Sequence, residues 1–221
     1  MKETQSSAST KISLDVLKGI LAHFLLPYKS NSPLKALLVI SCLGSFAWSI
    51  AGNYIVVFME EIIGLRSSEI GYLFSLSNFA WMIMTVPAGK LADRFGRRFC
   101  IIFSYLASVP LFIIFLFTGN FIQAASVHIA SSAINALGGP ALGALLAEIT
   151  PDKQRATVMG TLNSLTSASS SIGPVLGGYL WENYSPRTPF YVDILIDLPS
   201  IILFILYVKP LSKNRSEPKE T

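Results

Sequence analysis

The side chains with the capacity for chemistry are a few polar residues that interrupt long apolar runs. Asp193 and Asp197 lie four residues apart in one such run, so they share a face if the run is helical. A carboxylate inside an apolar segment is costly and is therefore a candidate functional group. Asp197 lies deeper in the run, whereas Asp193 is expected nearer the outer surface of a membrane. Either carboxylate could carry protons or hold a neighbouring helix by hydrogen bonds.

A second set of polar and aromatic side chains stands in other apolar runs. His128 and Asn135 share one of them, and a lone histidine there is more simply a packed, neutral hydrogen-bonding residue than a proton carrier. The remaining members could line a cavity that stacks on and hydrogen-bonds a substrate, or could anchor helix ends at the membrane surface. They are Trp48, Asn53, Tyr54, Asn78 and Trp81.

The sequence contains no recognisable catalytic machinery. Its two histidines and two cysteines form no cluster of metal ligands and no nucleophile–base pair. Cys42 and Cys100 lie within apolar runs, where they are expected to act as small apolar residues rather than as a disulfide or metal pair. The pattern Gly-x-x-x-x-Gly-Lys-[Ser/Thr] is absent, so ATP is not expected to drive the protein. We therefore predict neither an enzyme nor a bound cofactor or metal.

Membrane-spanning helices are the elements that must position these side chains. The chain is 52% hydrophobic and only 14% charged, and a soluble helical bundle would need a polar stripe on every helix. A hydrocarbon core about 30 Å thick takes roughly 20 apolar residues per helix. This length predicts an all-α membrane protein with six transmembrane helices, at about 35–58, 69–88, 99–118, 121–147, 157–181 and 189–208.

Short polar segments flank this domain on both sides. Residues 1–34 are predicted to form a cytoplasmic tail with an amphipathic helix, between Lys11 and Leu26, that lies on the membrane surface. Residues 35–209 form the predicted six-helix transmembrane domain. Residues 210–221 are predicted to be a cytoplasmic C-terminal tail.

The positive charges orient the predicted spans. Of the 17 Lys and Arg residues, all but Arg66 and Arg187 fall on one side of the predicted membrane. The positive-inside rule then places both termini in the cytoplasm, and we expect the plasma membrane as the location. The net charge of +4 follows from this topology, so no nucleic-acid partner is predicted.

A short charged segment separates the second and third predicted spans, and we interpret it as a tight hairpin. The segment contains Gly89, Asp93, Arg94, Gly96, Arg97 and Arg98. The spacing of these residues resembles the signature loop between helices 2 and 3 of the major facilitator superfamily of transporters. The resemblance implies a gating loop, in which Asp93 joins a charge network that latches two halves of a transporter when it faces outward. From its position alone, Asp93 could instead cap the N-terminus of the third span.

A glycine-proline pattern in the fifth predicted span resembles a second motif of this family. It comprises Ser169, Gly173, Pro174, Gly177 and Gly178, with a serine where the family has an earlier glycine. Small residues let helices approach closely in lipid, and a proline kinks a helix. The face formed by Ser169, Gly173 and Gly177 therefore predicts a close helical neighbour, which we assign to a partner half.

Complete members of this family have two six-span halves with the substrate between them. The resemblance therefore implies that this chain is one half, more similar to the C-terminal half or to a split-gene member. A second copy or a separately encoded half would complete it. The predicted function is a secondary transporter half that moves a small solute by alternating access, coupled to an ion or to exchange. Its predicted partners are the solute, the second half and the membrane lipids. The alternative is a non-transporting, regulatory half that interacts with another transporter.

Overall fold

The structure is a computed structural model that describes residues 32–207. All regular elements in this range are helical: α1 Ser32–Gly52, α2 Ile55–Glu61, α3 Ser67–Phe95, α4 Arg97–Phe115, α5 Phe121–Ile149, a 3₁₀ turn Asp152–Gln154, α6 Arg155–Ser170, α7 Gly173–Asn183 and α8 Thr188–Tyr207. The predicted all-α class is therefore confirmed. The predicted amphipathic helix and most of both predicted tails lie outside the described residues.

Five helical segments in the described range are long and apolar enough to cross a membrane. They are Ser32–Glu61, which joins α1 and α2, and the helices α3, α4, α5 and α8. These five correspond to the first four predicted spans and the sixth. The structure thus supports a membrane-embedded helical bundle with five candidate crossings.

The fifth predicted span is divided into two shorter helices. α6 ends at Ser170 and α7 begins at Gly173, with Pro174 in its first turn. Proline has no N–H, and its ring collides with the carbonyl of the preceding helical turn. The hydroxyl groups of Ser170 and Ser171 also donate to backbone carbonyls of the same helix, which bends it further. One continuous helix over 157–181 was therefore the wrong expectation, and the kink expected at Pro174 is a break.

The charged hairpin between the second and third spans is much shorter than predicted. α3 continues through Phe95, and only Gly96 separates it from α4. Gly96 has a φ of 91°, a left-handed conformation that favours glycine. Residues 89–95 are therefore the end of a helix rather than a loop.

The helices pack as two groups. In the first group α1 packs against α6, α7 and α8, and in the second group α5 packs against α3 and α4. Two apolar clusters join the groups at opposite ends of the bundle: one contains Leu37, Ile101 and Leu145, and the other contains Phe58 and Phe115. These buried side chains pack the two ends of the bundle, and the cavity described below lies between them.

Candidate functional site

A cavity of about 510 Å³ lies between the two groups of helices. Side chains from α1, α3, α4, α5 and α8 line it, so every candidate crossing contributes to its wall. The polar and aromatic lining residues are Trp48, Phe74, Ser77, Asn78, Trp81, Tyr105, Ser108, Phe112, Phe115, His128, Ser131, Ser132, Asn135, Asp193 and Asp197. The cavity therefore combines aromatic walls with a small number of polar groups, as small-molecule sites usually do.

The structure brings most of the predicted site residues together here. Seven of the nine residues named above for a substrate cavity or for coupling line this one space: Trp48, Asn78, Trp81, His128, Asn135, Asp193 and Asp197. Of the other two, Asn53 lies exposed in a separate groove, and the Tyr54 hydroxyl contacts Pro174. Residues that are more than a hundred positions apart in the chain thus share one site.

Asp193 and Asp197 form the anionic side of the cavity. Asp193 is only 3% exposed, because the helices of the bundle pack around it. Within residues 32–207, neither aspartate forms a hydrogen bond or an ion pair, and the Oδ1 atom of each is buried without a partner. α1 comes close to Asp197 at Gly44, where a Cβ would lie 3.8 Å from Oδ1 of the aspartate, an ordinary contact distance. The hypothesis that Asp197 holds a neighbouring helix by a hydrogen bond has no support in this geometry.

His128 on α5 is a packed, hydrogen-bonded residue at the edge of the cavity. Its Nδ1 lies 2.8 Å from the Ser77 hydroxyl on α3. The rings of Phe74 and Phe115 contact it edge to face, with centroids 5.3 and 6.1 Å away. These contacts hold the imidazole in one orientation between α3, α4 and α5.

The side chain of Asn135 is also held by a serine hydroxyl. The Oδ1 atom of Asn135 on α5 accepts a hydrogen bond of 3.0 Å from the Ser108 hydroxyl on α4. The sequence interpretation missed Ser77 and Ser108. A helical spacing of four residues places Ser77 on the same face as Trp81, and this was the available signal for Ser77.

Two glycines make room for the tryptophans of the cavity. A Cβ at Gly52 would lie 2.9 Å from the indole of Trp48, one helical turn earlier. A Cβ at Gly139 would lie 3.0 Å from the indole of Trp81. Both positions are tighter than side chains normally allow, so the absence of a side chain lets each indole approach a helix closely.

A second groove of about 500 Å³ runs between α1 and α6. Hydroxyl and amide side chains dominate its lining, which comprises Ser45, Trp48, Ser49, Gly52, Asn53, Thr166, Ser167 and Ser170. Trp48 lines both spaces, so it separates the polar groove from the anionic cavity. Asn53 and the hydroxyl-rich part of the fifth predicted span therefore line this groove and not the cavity.

The glycine-proline motif packs against α1 of the same chain. Gly173 and Gly177 are buried, and a Cβ on them would collide with Ser49 and with the Ile50 carbonyl, respectively. Gly178 lies beside the Tyr54 hydroxyl, which donates a hydrogen bond of 2.8 Å to the carbonyl of Pro174. The face assigned above to a partner half is therefore occupied by α1. Ser169 is half-buried and donates to the Leu165 carbonyl of its own helix.

The residues of the charged hairpin divide into two kinds. Arg97 forms an ion pair of 2.5 Å with Glu148 and donates to the Ala144 carbonyl, so it ties α4 to α5. Arg98 donates to the Ile205 carbonyl and ties α4 to α8. These two arginines hold the bundle together at this end.

The other charged residues of the hairpin face outward. Asp93 is exposed and, in the part of the chain that the structure describes, makes no hydrogen bond or ion pair. It lies near the C-terminal end of α3, so it cannot cap the N-terminus of the next helix. Arg94 lies over the ring of Phe95 at 5.4 Å, and Gly89 faces open space. Gly89, Asp93 and Arg94 are thus free to meet another surface.

This architecture defines a class: a multi-pass α-helical membrane protein whose spans enclose a cavity with aromatic walls and buried carboxylates. The chain belongs to the Major Facilitator Superfamily, whose family model matches residues 37–221. The match covers the whole described bundle except its first turn, so the resemblance seen in the hairpin is confirmed.

Curated relatives of the chain are named as transporters or resistance proteins. An uncharacterized MFS-type transporter of Methanocaldococcus jannaschii is 26% identical over 75% of this chain and 43% of its own length. Multidrug resistance protein MdtG of Serratia proteamaculans is 28% identical over 78% of this chain and 44% of its own length. Tetracycline resistance protein, class B, of Escherichia coli is 24% identical over 84% and 46%. The chain therefore spans about half the length of the curated relatives that it matches.

Proposed function

We propose that this chain forms one half of a secondary transporter that moves a small solute by alternating access, coupled to an ion or to exchange. The family match over residues 37–221 is the observation that carries the proposal. The matching relatives are about twice as long as the matched region. The second half is then a second copy, a separately encoded half or another part of a longer chain. Six crossings require that α6 and α7 together form the fifth.

The groove between α1 and α6 is the surface that we assign to the second half. Asn53 is exposed there among serine and threonine hydroxyls. Amide groups that face hydrocarbon lack hydrogen-bond partners, which is costly, whereas a second half or a water-filled path supplies them. Solute would pass along this polar surface between the two halves.

The outward-facing residues of the charged hairpin are assigned to gating. Asp93 is an exposed carboxylate without a partner among the described residues. This is what we expect in a single half if Asp93 pairs with a residue of the second half. Arg97 and Arg98 serve the same region by fixing the start of α4. The charge distribution of the sequence supports a cytoplasmic position for this hairpin and for both termini. We assign the protein to the plasma membrane.

The names of the relatives favour a small organic molecule as the solute. Two of the three compared above are named for resistance to drugs, one of them to tetracycline. A regulatory half that transports nothing is the second candidate, because the chain spans only 43–46% of these relatives. Both candidates need a contact surface for another half, so assembly alone does not separate them.

Transport by the purified chain separates the two candidates. The 221-residue chain is placed in proteoliposomes, alone and with any half that co-purifies from native membranes, and movement of tetracycline and of ethidium is followed by fluorescence. The transporter proposal expects movement that depends on an imposed ion gradient or on solute inside, and that is lost in Asp93→Asn. Assembly with a full transporter whose rate then changes, with no movement by the chain and its partner half, would favour the regulatory candidate.

A further inference from the structure

We propose that the cavity inside this half bundle is a binding site for an organic cation, with Asp193 and Asp197 as its anionic side and aromatic rings as its walls. The cavity lies between the two helix groups of a single half. Binding therefore requires neither the second half nor a transport cycle. The site is separate from the polar groove that we assign to the solute path between halves.

The charge of the cavity is the first argument. Asp193 lines it, is 3% exposed and has a buried Oδ1 without a partner in residues 32–207. Asp197 lies one helical turn away, and its Oδ1 is likewise buried without a partner among the described residues. The other titratable lining groups from residues 32–207 are Tyr105 and His128, and no Lys or Arg in this range lines the cavity. Two carboxylates on one face repel each other and are costly to bury, so a bound positive charge stabilises the site.

The shape of the cavity argues for an organic ion rather than a metal. Its volume of about 510 Å³ is in the range of small-molecule sites and far larger than a bare metal ion. A hard metal ion also needs about six close oxygen ligands. Among the described residues, no group of three or more His, Cys, Asp or Glu side chains is placed to hold a metal.

The walls suit a cation with an apolar or aromatic body. Trp48 on α1 and Phe112 on α4 have ring centroids 6.3 Å apart, and Trp81 on α3 faces the same space. Aromatic faces attract an ammonium or phosphonium group as well as an apolar substituent. Asn78 and the hydroxyl of Ser131 add hydrogen-bond acceptors for the N–H groups of a protonated amine. The carboxylates select the sign of the charge, and the rings select the body that carries it.

Two probes of equal shape and opposite charge test the proposal. The full chain is placed in lipid nanodiscs, and binding of radiolabelled tetraphenylphosphonium and tetraphenylborate is measured by equilibrium dialysis, with empty nanodiscs as the background. We expect the cation, but not the anion, to bind above background. Asp193→Asn should weaken cation binding by about tenfold or more, and the double variant Asp193→Asn/Asp197→Asn should weaken it further.

Matched variants separate the site from general effects. Asp152→Asn removes an exposed carboxylate outside the cavity and should leave cation binding unchanged. Trp81→Ala should weaken binding, whereas Tyr184→Ala, at an exposed ring outside the cavity, should not. Equal binding of both probes, or equal binding by the parent chain and the double variant, would overturn the proposal. Proton uptake at the two aspartates without cation binding would replace it with a proton site.

A chemical test covers the case in which the aspartate variants do not insert. Dicyclohexylcarbodiimide modifies protonated carboxyl groups inside membranes, and mass spectrometry locates the modified residue in the parent chain. Tetraphenylphosphonium should protect Asp193 and Asp197, and tetraphenylborate should not. Protection by neither probe would contradict the proposal. If the chain binds the cation but does not transport, the cation site is supported and the proposed transport function fails. If it transports but does not bind the cation, the transport function is supported and the cation site fails.

Discussion

The hydroxyl group of Tyr54, between α1 and α2, donates a hydrogen bond of 2.8 Å to the carbonyl of Pro174, at the break between α6 and α7. Gly177 lies one turn further along α7, where a Cβ would meet the Ile50 carbonyl and the Tyr54 ring. The tyrosine thus partners a backbone group at the point where the helix is interrupted, and the glycine allows the contact. A broken helix inside a membrane requires partners of this kind.

Gly177→Ala is expected to destabilise the bundle because the added methyl group has no space. Forced overpacking of this kind typically costs about 1–3 kcal/mol. Gly160→Ala in α6 is the matched control, since nothing lies within 4 Å of a Cβ there. The free energy of unfolding, measured by detergent-induced denaturation, should fall for Gly177→Ala and hold or rise for Gly160→Ala. Equal effects of the two substitutions would contradict the packing described here.

Ser77→Ala is expected to destabilise the protein by leaving Nδ1 of His128 without its partner. An unsatisfied buried polar group costs about 1–3 kcal/mol. Ser75→Ala is the control, because Ser75 is exposed and its hydroxyl bonds only to Gly71 of its own helix. The midpoint of thermal unfolding in mild detergent should fall for Ser77→Ala alone, and an unchanged midpoint would show that the Ser77–His128 bond adds nothing measurable.

Asp93→Asn should separate transport from folding. A carboxylate near the C-terminal end of a helix opposes the helix dipole, so its removal should leave folding unchanged or slightly more favourable, by about 0.3–1 kcal/mol. If Asp93 latches two halves, transport should nevertheless fall steeply. Unfolding in detergent and solute movement in proteoliposomes are measured on the same preparation, with Asp152→Asn as the control. A variant that transports at the parental rate would exclude the latch.

The two ends of the bundle should face opposite sides of the membrane. Ser67, the first residue of α3, and Lys153, in the 3₁₀ turn, are exposed positions at opposite ends of the bundle, and each is replaced by a single cysteine. Both variants are made in a chain in which Cys42 and Cys100 have been replaced by alanine. In intact cells, an impermeant thiol reagent should label Ser67→Cys and not Lys153→Cys. The reverse pattern would invert the proposed topology.

Most of the fold was predictable because hydropathy and charge are local properties of the chain. Runs of about 20 apolar residues indicate spanning helices wherever they occur, and the sequence predicted the helices of the structure in four of the five candidate crossings to within a few residues. α3 is the exception, because its helix continues to Phe95 through charged residues that hydropathy assigned to a loop. The charges predicted an orientation for the same reason, without any knowledge of packing. The spacing of Gly89 to Arg98 was also sufficient to indicate the family, which the match to residues 37–221 confirms.

Only the tertiary structure decided which side chains meet. Asp193 and Asp197 could face lipid, a partner or the interior as far as the sequence shows, and the packing of α8 on α1 turns them into the cavity. The same packing places α1 against Gly173 and Gly177, where the small residues had suggested a partner half. Such contacts join residues more than a hundred positions apart, so they depend on how whole helices cross. Composition and periodicity specify the face of a helix, whereas close packing selects what that face touches.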